Sequence, residues 1–183
     1  MAELTTCEVK LARAADAALI ARMSRDYIEQ GLRWRWRTRQ IRAKIANPET
    51  VVLVAKVELG GVRFIGGFAV MDFPSQEASP ASEAPEDFSE HLSTQLSTQK
   101  GLLSLLAVHP SLRRMGVGGK LVRWLHKSAR VAGCQHIELQ VRADNIHARR
   151  FYNRMGYSEE ALLNGYYDGK IAAYQMKLRL ARP

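Results

Sequence analysis

The sequence predicts an α/β fold built on one mixed sheet. Two β-rich segments, residues 50–58 and 62–73, flank Gly60 and Gly61, and two glycines between such segments are typical of an antiparallel hairpin. Between residues 101 and 141 the pattern changes to strand, helix, strand, which is a βαβ unit with parallel strands and a right-handed crossover. The sheet is therefore expected to be largely antiparallel with one parallel pair.

A strand and two helices precede the hairpin. Residues 7–13 alternate polar and apolar side chains, and the Ala-rich stretch 14–30 predicts a helix that Gly31 ends. Apolar side chains recur at helical spacing over 38–46 and stop before Pro48, which indicates a second, short helix.

Residues 74–100 differ in composition from the segments around them. They are rich in Ser, Pro, Glu and Gln, so they predict a flexible loop inserted into a single domain, 1–183. The first half of this loop is acidic and residues 33–44 are basic, so the loop either folds back onto that surface or forms a solvated insertion. Its composition favours the solvated insertion.

The second half of the chain is more regular. Residues 101–110 predict an apolar strand, 115–133 an amphipathic helix, 135–144 a strand, 145–156 a helix, and 157–180 two closing strands. With the two earlier helices, the fold is expected to contain about four.

Composition narrows the classes of function. The chain of 183 residues is 46% hydrophobic, which is enough for one substantial core, and its formal charge of +9 favours anionic partners. Cys7 and Cys134 lie far apart without metal-ligand spacing, so neither a disulfide framework nor a metal site is expected. The sequence has neither a membrane-spanning apolar run nor a secretory signal pattern, which predicts a cytoplasmic protein with no membrane partner.

A glycine-rich loop separates the predicted strand 101–110 from the helix that follows. Gly116, Gly118 and Gly119 lack side chains where the helix begins, so backbone N–H groups can approach an anion that the helix dipole also favours. The spacing matches neither a Walker loop nor GxGxxG. The alternative is that these glycines only permit close strand-to-helix packing.

Two motifs resemble those of the GNAT superfamily of N-acetyltransferases. Arg113-x-x-Gly116-x-Gly118, directly after the strand LLAVHP, resembles the family's acetyl-CoA motif, and residues 141–157 resemble its second signature. Residues 164–170, NGYYDGK, are similar to the RimI-like branch, which acetylates protein N-termini. The resemblance implies the GNAT fold, acetyl-CoA as cosubstrate, and direct attack by a primary amine in a ternary complex.

The resemblance also implies which residues bind the cofactor. Exposed backbone groups of the strand pair with the pantetheine arm, loop amides surround the diphosphate, and Asn145 donates a hydrogen bond to the arm. The implied cofactor-binding residues are Leu106, Ala107, Val108, Arg113, Arg114, Met115, Gly116, Val117, Gly118, Gly119, Asn145 and Tyr152.

Tyr152 is implied to be the general acid that protonates the departing thiolate. Asn145, Ala148 and Tyr152 share one helix face by their spacing, whereas Phe151 and Met155 point elsewhere. The face with Tyr152 is therefore expected to meet the cofactor.

The general base is left open by the sequence. The RimI-like pattern has a catalytic Glu where this chain has Gln140, and an amide cannot accept the proton. Glu138 lies on the same face of the strand and is a candidate base that acts through water, the alternative being an exposed carboxylate at a sheet edge.

The acceptor is expected to be a peptide N-terminus or a small-molecule amine. Trp34, Trp36, Gln140, Tyr166 and Tyr167 are the candidate acceptor-site residues. An α-amine with a pKa of about 7.7 to 8.0 needs less help from a base than a lysine amine near 10.4, so the absence of the Glu tilts the expectation to α-amines.

Two other classes of function remain open. The Arg- and Trp-rich stretch from residue 33 to 44 suits a nucleic-acid-binding module, which we weigh below the enzyme, and Gln140 suits a non-catalytic acyl-CoA sensor. The oligomeric state is expected to be monomer or homodimer.

Overall fold

The computed structural model describes residues 4–73 and 100–181. Its seven strands are β1 (Leu4–Leu11), β2 (Thr50–Leu59), β3 (Val62–Asp72), β4 (Lys100–Val108), β5 (His136–Arg142), β6 (Ser158–Tyr167) and β7 (Ile171–Arg179). The helices are α1 (Ala17–Tyr27), α2 (Thr38–Ala46), α3 (Val117–Val131) and α4 (Ile146–Arg154), with short 3-10 turns at Ala14–Asp16 and Pro110–Leu112.

The strands form one mixed sheet in the order β1-β2-β3-β4-β5-β7-β6. Its neighbours are antiparallel except β4 and β5, which are parallel and are joined through α3. The predicted mixed sheet, βαβ unit and four helices are therefore confirmed.

Several predicted boundaries shift by a few residues. The predicted helix 14–30 divides into a 3-10 turn and the shorter α1, and α3 begins at Val117 rather than at Met115. Lys100 is already the first residue of β4, so the predicted loop ends earlier than expected. The other residues of that loop, 74–99, lie outside the described residues.

Each face of the sheet carries its own hydrophobic core. The α3-side core joins Leu121 and Leu125 of α3 to strand residues such as Leu139. The α1-side core joins Ile20 and Ile41 of the first two helices to the opposite face of the same sheet. Burial of both faces explains why the central strands are apolar at nearly every position.

A bulge in β4 changes which way its side chains point. Met71 of β3 pairs with Leu103 and Val70 pairs with Leu105, so Ser104 is the extra residue between them. As a result Leu103 belongs to the α3-side core and Leu105 to the α1-side core, although both numbers are odd.

The bulged Ser104 is held by a partly buried carboxylate. Its hydroxyl donates to Oδ2 of Asp72 at 2.5 Å, while Oδ1 of Asp72 accepts from Lys44 Nζ at 2.6 Å and from the Thr50 hydroxyl at 2.8 Å. Asp72 thus ties the bulge to the end of α2 and the start of β2.

A histidine of α3 is buried beneath the sheet. His126 is 8% exposed, and its Nε2 lies 3.1 Å from the Tyr157 hydroxyl. Burial lowers the pKa of His126 to about 4, and Arg130 and Arg123 act in the same direction.

We expect protonation of His126 to destabilise the fold in acid. The unfolded chain binds this proton near pH 6.5 and the folded chain only near pH 4, so stability present above pH 6.5 is lost as pH falls toward 4. Partial solvent access limits this contribution to about 1 to 2 kcal/mol. Urea unfolding at a series of pH values should show that the free energy of unfolding depends less steeply on pH in His126→Gln than in the unmodified chain. The exposed His147→Gln is the control, and an unchanged slope in His126→Gln would contradict the assignment.

Candidate active site

The sheet opens between β4 and β5. These strands pair only at Lys100 with His136, Gly101 with Ile137 and Leu102 with Glu138. Beyond Leu102, no strand in the described part of the chain pairs with the β5-facing edge of β4. Leu106, Ala107 and Val108, the predicted pantetheine-binding residues, lie along this opening, so their backbone groups are available to an extended ligand.

The glycine-rich loop places helix α3 with its N-terminus free. Gly116 caps the helix with φ +83°, and the first helical bond runs from the Lys120 N–H to the Gly116 carbonyl. Within the described residues, the amides of Val117, Gly118 and Gly119 have no backbone acceptor. Such an array at a helix start fits an anion such as a diphosphate.

The arginines of the loop surround this helix start. Arg113 and Arg114 are exposed, and Arg114 has φ +66°, a left-handed conformation that is uncommon outside glycine. Arg113 and Met115 differ from the rest of the predicted cradle, because their amides already donate to the Pro110 and Leu112 carbonyls, both at 3.2 Å. The available donors are therefore the other amides of the loop and the two guanidinium groups.

Phe151 borders the opening, although its spacing predicted that it points away. A β-carbon placed on Gly118 would lie 3.4 Å from Cζ of Phe151 and 3.6 Å from Cγ2 of Val108. The prediction for Phe151 was wrong because helix spacing defines relative faces, while the packing of α4 against α3 decides which face meets the loop.

Asn145 opens α4, as the sequence predicted. Its side-chain oxygen accepts from the Ala148 N–H at 3.0 Å, which is an N-terminal helix cap. The oxygen is thus used within the chain, and the amide nitrogen is the atom left for the predicted contact with the pantetheine arm.

Tyr152 follows Phe151 on α4 and is only 8% exposed. Its ring packs edge-on against Phe151 and Tyr157, with ring centroids 5.2 and 5.6 Å away, and its hydroxyl makes no hydrogen bond within the described residues. Burial raises the pKa of Tyr152 well above its ordinary value, and nearby Tyr167 adds to the effect. Tyr152 is therefore a protonated donor near neutral pH.

Glu138 lies at the closed end of the opening, and its carboxylate is surrounded by basic side chains. Its carboxylate is 3.2 Å from Lys100 Nζ, 3.1 Å from His136 Nε2 and 3.7 Å from Lys177 Nζ. Although burial opposes it, these cations lower the pKa of Glu138. It is buried on a strand paired on both sides, not exposed at a sheet edge. This geometry favours a structural role over the base predicted from the sequence.

Gln140 lies two residues further along β5, beside the open part of the sheet. Its backbone carbonyl accepts the Tyr167 hydroxyl at 3.2 Å, and Tyr166 packs edge-on against Tyr167 at 4.9 Å between ring centroids. Burial raises the pKa of Tyr167 to about 12. The β6–β7 turn is thereby joined to the strand that borders the opening.

The segment between α1 and α2 is organised by two carboxylates. Buried Glu29 accepts the N–H groups of Arg35 at 2.6 Å and Trp36 at 3.4 Å. Asp168, in the β6–β7 turn, accepts the Arg33 N–H at 3.0 Å and the Arg35 guanidinium at 2.8 Å. These contacts hold the segment against the β6–β7 turn.

The two tryptophans of this segment have different surroundings. Trp36 packs on the α1-side core with Lys44 over its ring, whereas Trp34 also lines a cleft of about 520 Å³. We call this cleft the arginine cleft; its lining residues are Arg33, Trp34, Arg35, Arg37, Gln40 and Asp168. Of the two tryptophans predicted to lie in the acceptor site, Trp34 is thus the one that lines an open cleft.

Comparison with known proteins identifies the family. The model of the Acetyltransferase (GNAT) family matches residues 19–157. The chain belongs to the Acetyltransferase (GNAT) family. The resemblance found in the two sequence motifs is thereby confirmed.

Curated relatives of this GNAT chain match part of it. An uncharacterised N-acetyltransferase of Methanocaldococcus jannaschii is 42% identical over 79 residues, covering 42% of this chain and 51% of the relative. The ribosomal protein bS18-alanine N-acetyltransferase of Escherichia coli is 31% identical over 91 residues, covering 48% of this chain and 62% of the relative. The matches thus span about half of this chain and less than two thirds of each relative.

Solved structures show the same fold over nearly the whole chain. Arabidopsis thaliana NAA60 in complex with acetyl-CoA has a TM-score of 0.77 at 19% identity, covering 96% of this chain and 99% of that one. The predicted GNAT fold is confirmed. Within the described residues, no helix is long and apolar enough to cross a membrane, and no group of three or more metal-ligating side chains occurs.

We expect Ser104→Ala to weaken binding of CoA by about three- to tenfold, because one hydrogen bond that fixes the bulge is lost. Isothermal titration with CoA measures this change. Ser128→Ala, which removes a hydroxyl bonded to the Trp124 carbonyl within α3, is the matched control. If both variants bind CoA equally well, Ser104 does not position the opening.

Proposed function

We propose that this chain is an acetyl-CoA-dependent N-acetyltransferase whose acceptor is a peptide or protein N-terminal α-amine. The observation that carries the proposal is the opening between β4 and β5, which has free amides of α3 at one side and is bordered by Phe151, whose ring packs against Tyr152. Family membership and the similarity to a ribosomal protein bS18-alanine N-acetyltransferase support it.

The free amides and exposed arginines of the glycine-rich loop would hold the diphosphate, and the edge of β4 would pair with the pantetheine arm. Bound acetyl-CoA supplies an activated thioester. The amine nitrogen forms a bond to the carbonyl carbon while the carbon–sulfur bond breaks, and Tyr152 donates its proton to the departing sulfur. The amine nitrogen releases a proton to water. The phenolate of Tyr152 then takes a proton from water, which restores the phenol.

In the RimI-like pattern a Glu stands at the position of Gln140. No other carboxylate in the described part of the opening takes the place of that Glu. An α-amine is roughly a tenth neutral at pH 7, whereas a lysine amine is neutral at only a few parts in ten thousand. An α-amine can therefore react after losing its proton to water. This difference supports a peptide N-terminus over a lysine side chain as acceptor.

The nucleic-acid alternative has less support from the geometry. Arg35 is paired with Asp168 and Lys44 with Asp72, while Arg25 and Arg37 lie over the Trp34 ring at 5.6 and 5.5 Å. Base stacking on Trp34 would have to displace these cations. Cytoplasmic location and the choice between monomer and homodimer stay predictions.

Incubation with isotopically labelled acetyl-CoA and a panel of peptides and small amines tests the proposal. Mass spectrometry should find label on a peptide α-amine. Label on small amines alone would retain an N-acetyltransferase and overturn the peptide acceptor, and CoA binding without any transfer would favour a sensor.

Tyr152→Phe should lower kcat by about 100-fold or more, because the proton donor is lost while ring packing is kept. The KM for acetyl-CoA should change little. Tyr174→Phe is the control, since Tyr174 on β7 has the Arg149 guanidinium 4.0 Å above its ring. Equal kcat in Tyr152→Phe and the unmodified chain would remove Tyr152 from the mechanism.

The rate should depend on pH through the acceptor rather than through Tyr152. Since burial raises the pKa of Tyr152, this acid stays protonated through the alkaline range. For a peptide acceptor, kcat/KM should rise to about pH 9 as the α-amine loses its proton and then stay level to about pH 10. Initial rates across this range check the profile. An alkaline fall that Tyr152→Phe abolishes would show that the phenol ionises earlier.

A further inference from the structure

The arginine cleft carries an excess of positive charge at the side of the proposed acceptor site. Three of its lining residues are arginines, and its acidic residue, Asp168, is already bonded to the Arg35 guanidinium and the Arg33 N–H. Within residues 4–73 and 100–181, no carboxylate pairs with the guanidinium groups of Arg33 or Arg37. Arg33, and Arg37 with its guanidinium 5.5 Å over the Trp34 ring, are therefore not neutralised by a carboxylate of the described residues.

The cleft is organised before any ligand binds. Glu29 fixes the backbone of Arg35 and Trp36 from inside, with a further bond from the Ser24 hydroxyl at 3.1 Å, and Asp168 fixes Arg33 from outside. A wall that is ordered in advance reduces the entropy lost on binding.

The cleft also lies next to the open part of the sheet. Asp168 directly follows Tyr167, and the Tyr167 hydroxyl bonds the Gln140 carbonyl on β5. An extended peptide advances about 3.3 to 3.6 Å per residue. An acceptor with its α-amine in the opening would thus bring its next few side chains to the arginine cleft.

We propose that the arginine cleft selects acceptor peptides that carry Asp or Glu in the positions immediately after the acetylated residue. Guanidinium groups bind carboxylates through paired, charge-assisted hydrogen bonds, and Arg33 and Arg37 supply two such groups. Gln40 adds a neutral donor to the same wall. This inference rests on the proposed acetylation of peptide α-amines and names the class of peptide.

Matched peptides test the selectivity. Two peptides share their first residue and differ only in having Asp and Glu, or Asn and Gln, at the second to fourth positions. At low salt, kcat/KM should be about tenfold higher for the acidic peptide, and the ratio should fall as salt screens the charges.

Variants of the cleft separate local recognition from overall charge. Arg33→Gln/Arg37→Gln should reduce the preference to about twofold or less, and Arg33→Glu/Arg37→Glu should shift it to peptides with Lys at these positions. Arg39→Gln/Arg42→Gln is the control, because it removes two charges from exposed positions outside the cleft. The control should keep the preference.

The possible outcomes distinguish this inference from the proposed function. Equal kcat/KM for both peptides would overturn the selectivity and leave the acetylation standing. If no peptide is acetylated, the proposed function fails, and anisotropy with the same peptides carrying a fluorophore still decides the selectivity. Tighter binding of the acidic peptide that is lost in Arg33→Gln/Arg37→Gln supports it, and equal binding overturns it. Loss of oligonucleotide affinity in that variant, with no effect on peptides, would assign the cleft to nucleic acid.

Discussion

The divergence of β4 from β5 is the constraint on which the site depends. Parallel strands in a sheet normally satisfy each other's backbone groups, and here the pairing stops after Leu102. The bulge at Ser104 reverses the side-chain alternation, so β4 contributes Leu103 to one core and Leu105 to the other. Asp72 holds the bulge through a partly buried hydrogen bond. The result is a strand edge whose backbone groups beyond Leu102 are unpaired within the described residues.

The second constraint is the way in which the acceptor side is attached to this sheet. The segment between α1 and α2 is neither helix nor strand, so carboxylates accept hydrogen bonds from its backbone N–H groups. Glu29 and Asp168 bond backbone N–H groups of this segment, and Tyr167 bonds the Gln140 carbonyl. The two sides of the proposed reaction are thus built on elements far apart in sequence and fixed by side-chain to backbone bonds. Such bonds preorganise a site without requiring a ligand.

Local patterns were sufficient for most of the fold and for the two helix starts near the opening. Glycines before an amphipathic helix define a helix start with free amides wherever the helix lies, and Asn145 before its helix is recognisable as a cap. Phe151 was misplaced because spacing along one helix does not determine what the helix packs against. Glu138 was a reasonable candidate on its strand face, but its neighbours Lys100 and Lys177 come from two other strands.

The sequence by itself thus determined the mixed sheet, the βαβ unit and the family motifs, because each rests on patterns within short segments of the chain. The tertiary structure alone decided the bulge at Ser104 and the use of Asp72 to hold it. It also decided how the arginine cleft is formed, because Asp168 pairs there with Arg35, which lies 133 residues away in the sequence. Pairing between distant residues leaves no periodicity in the sequence, since it is selected by packing and charge in the folded chain.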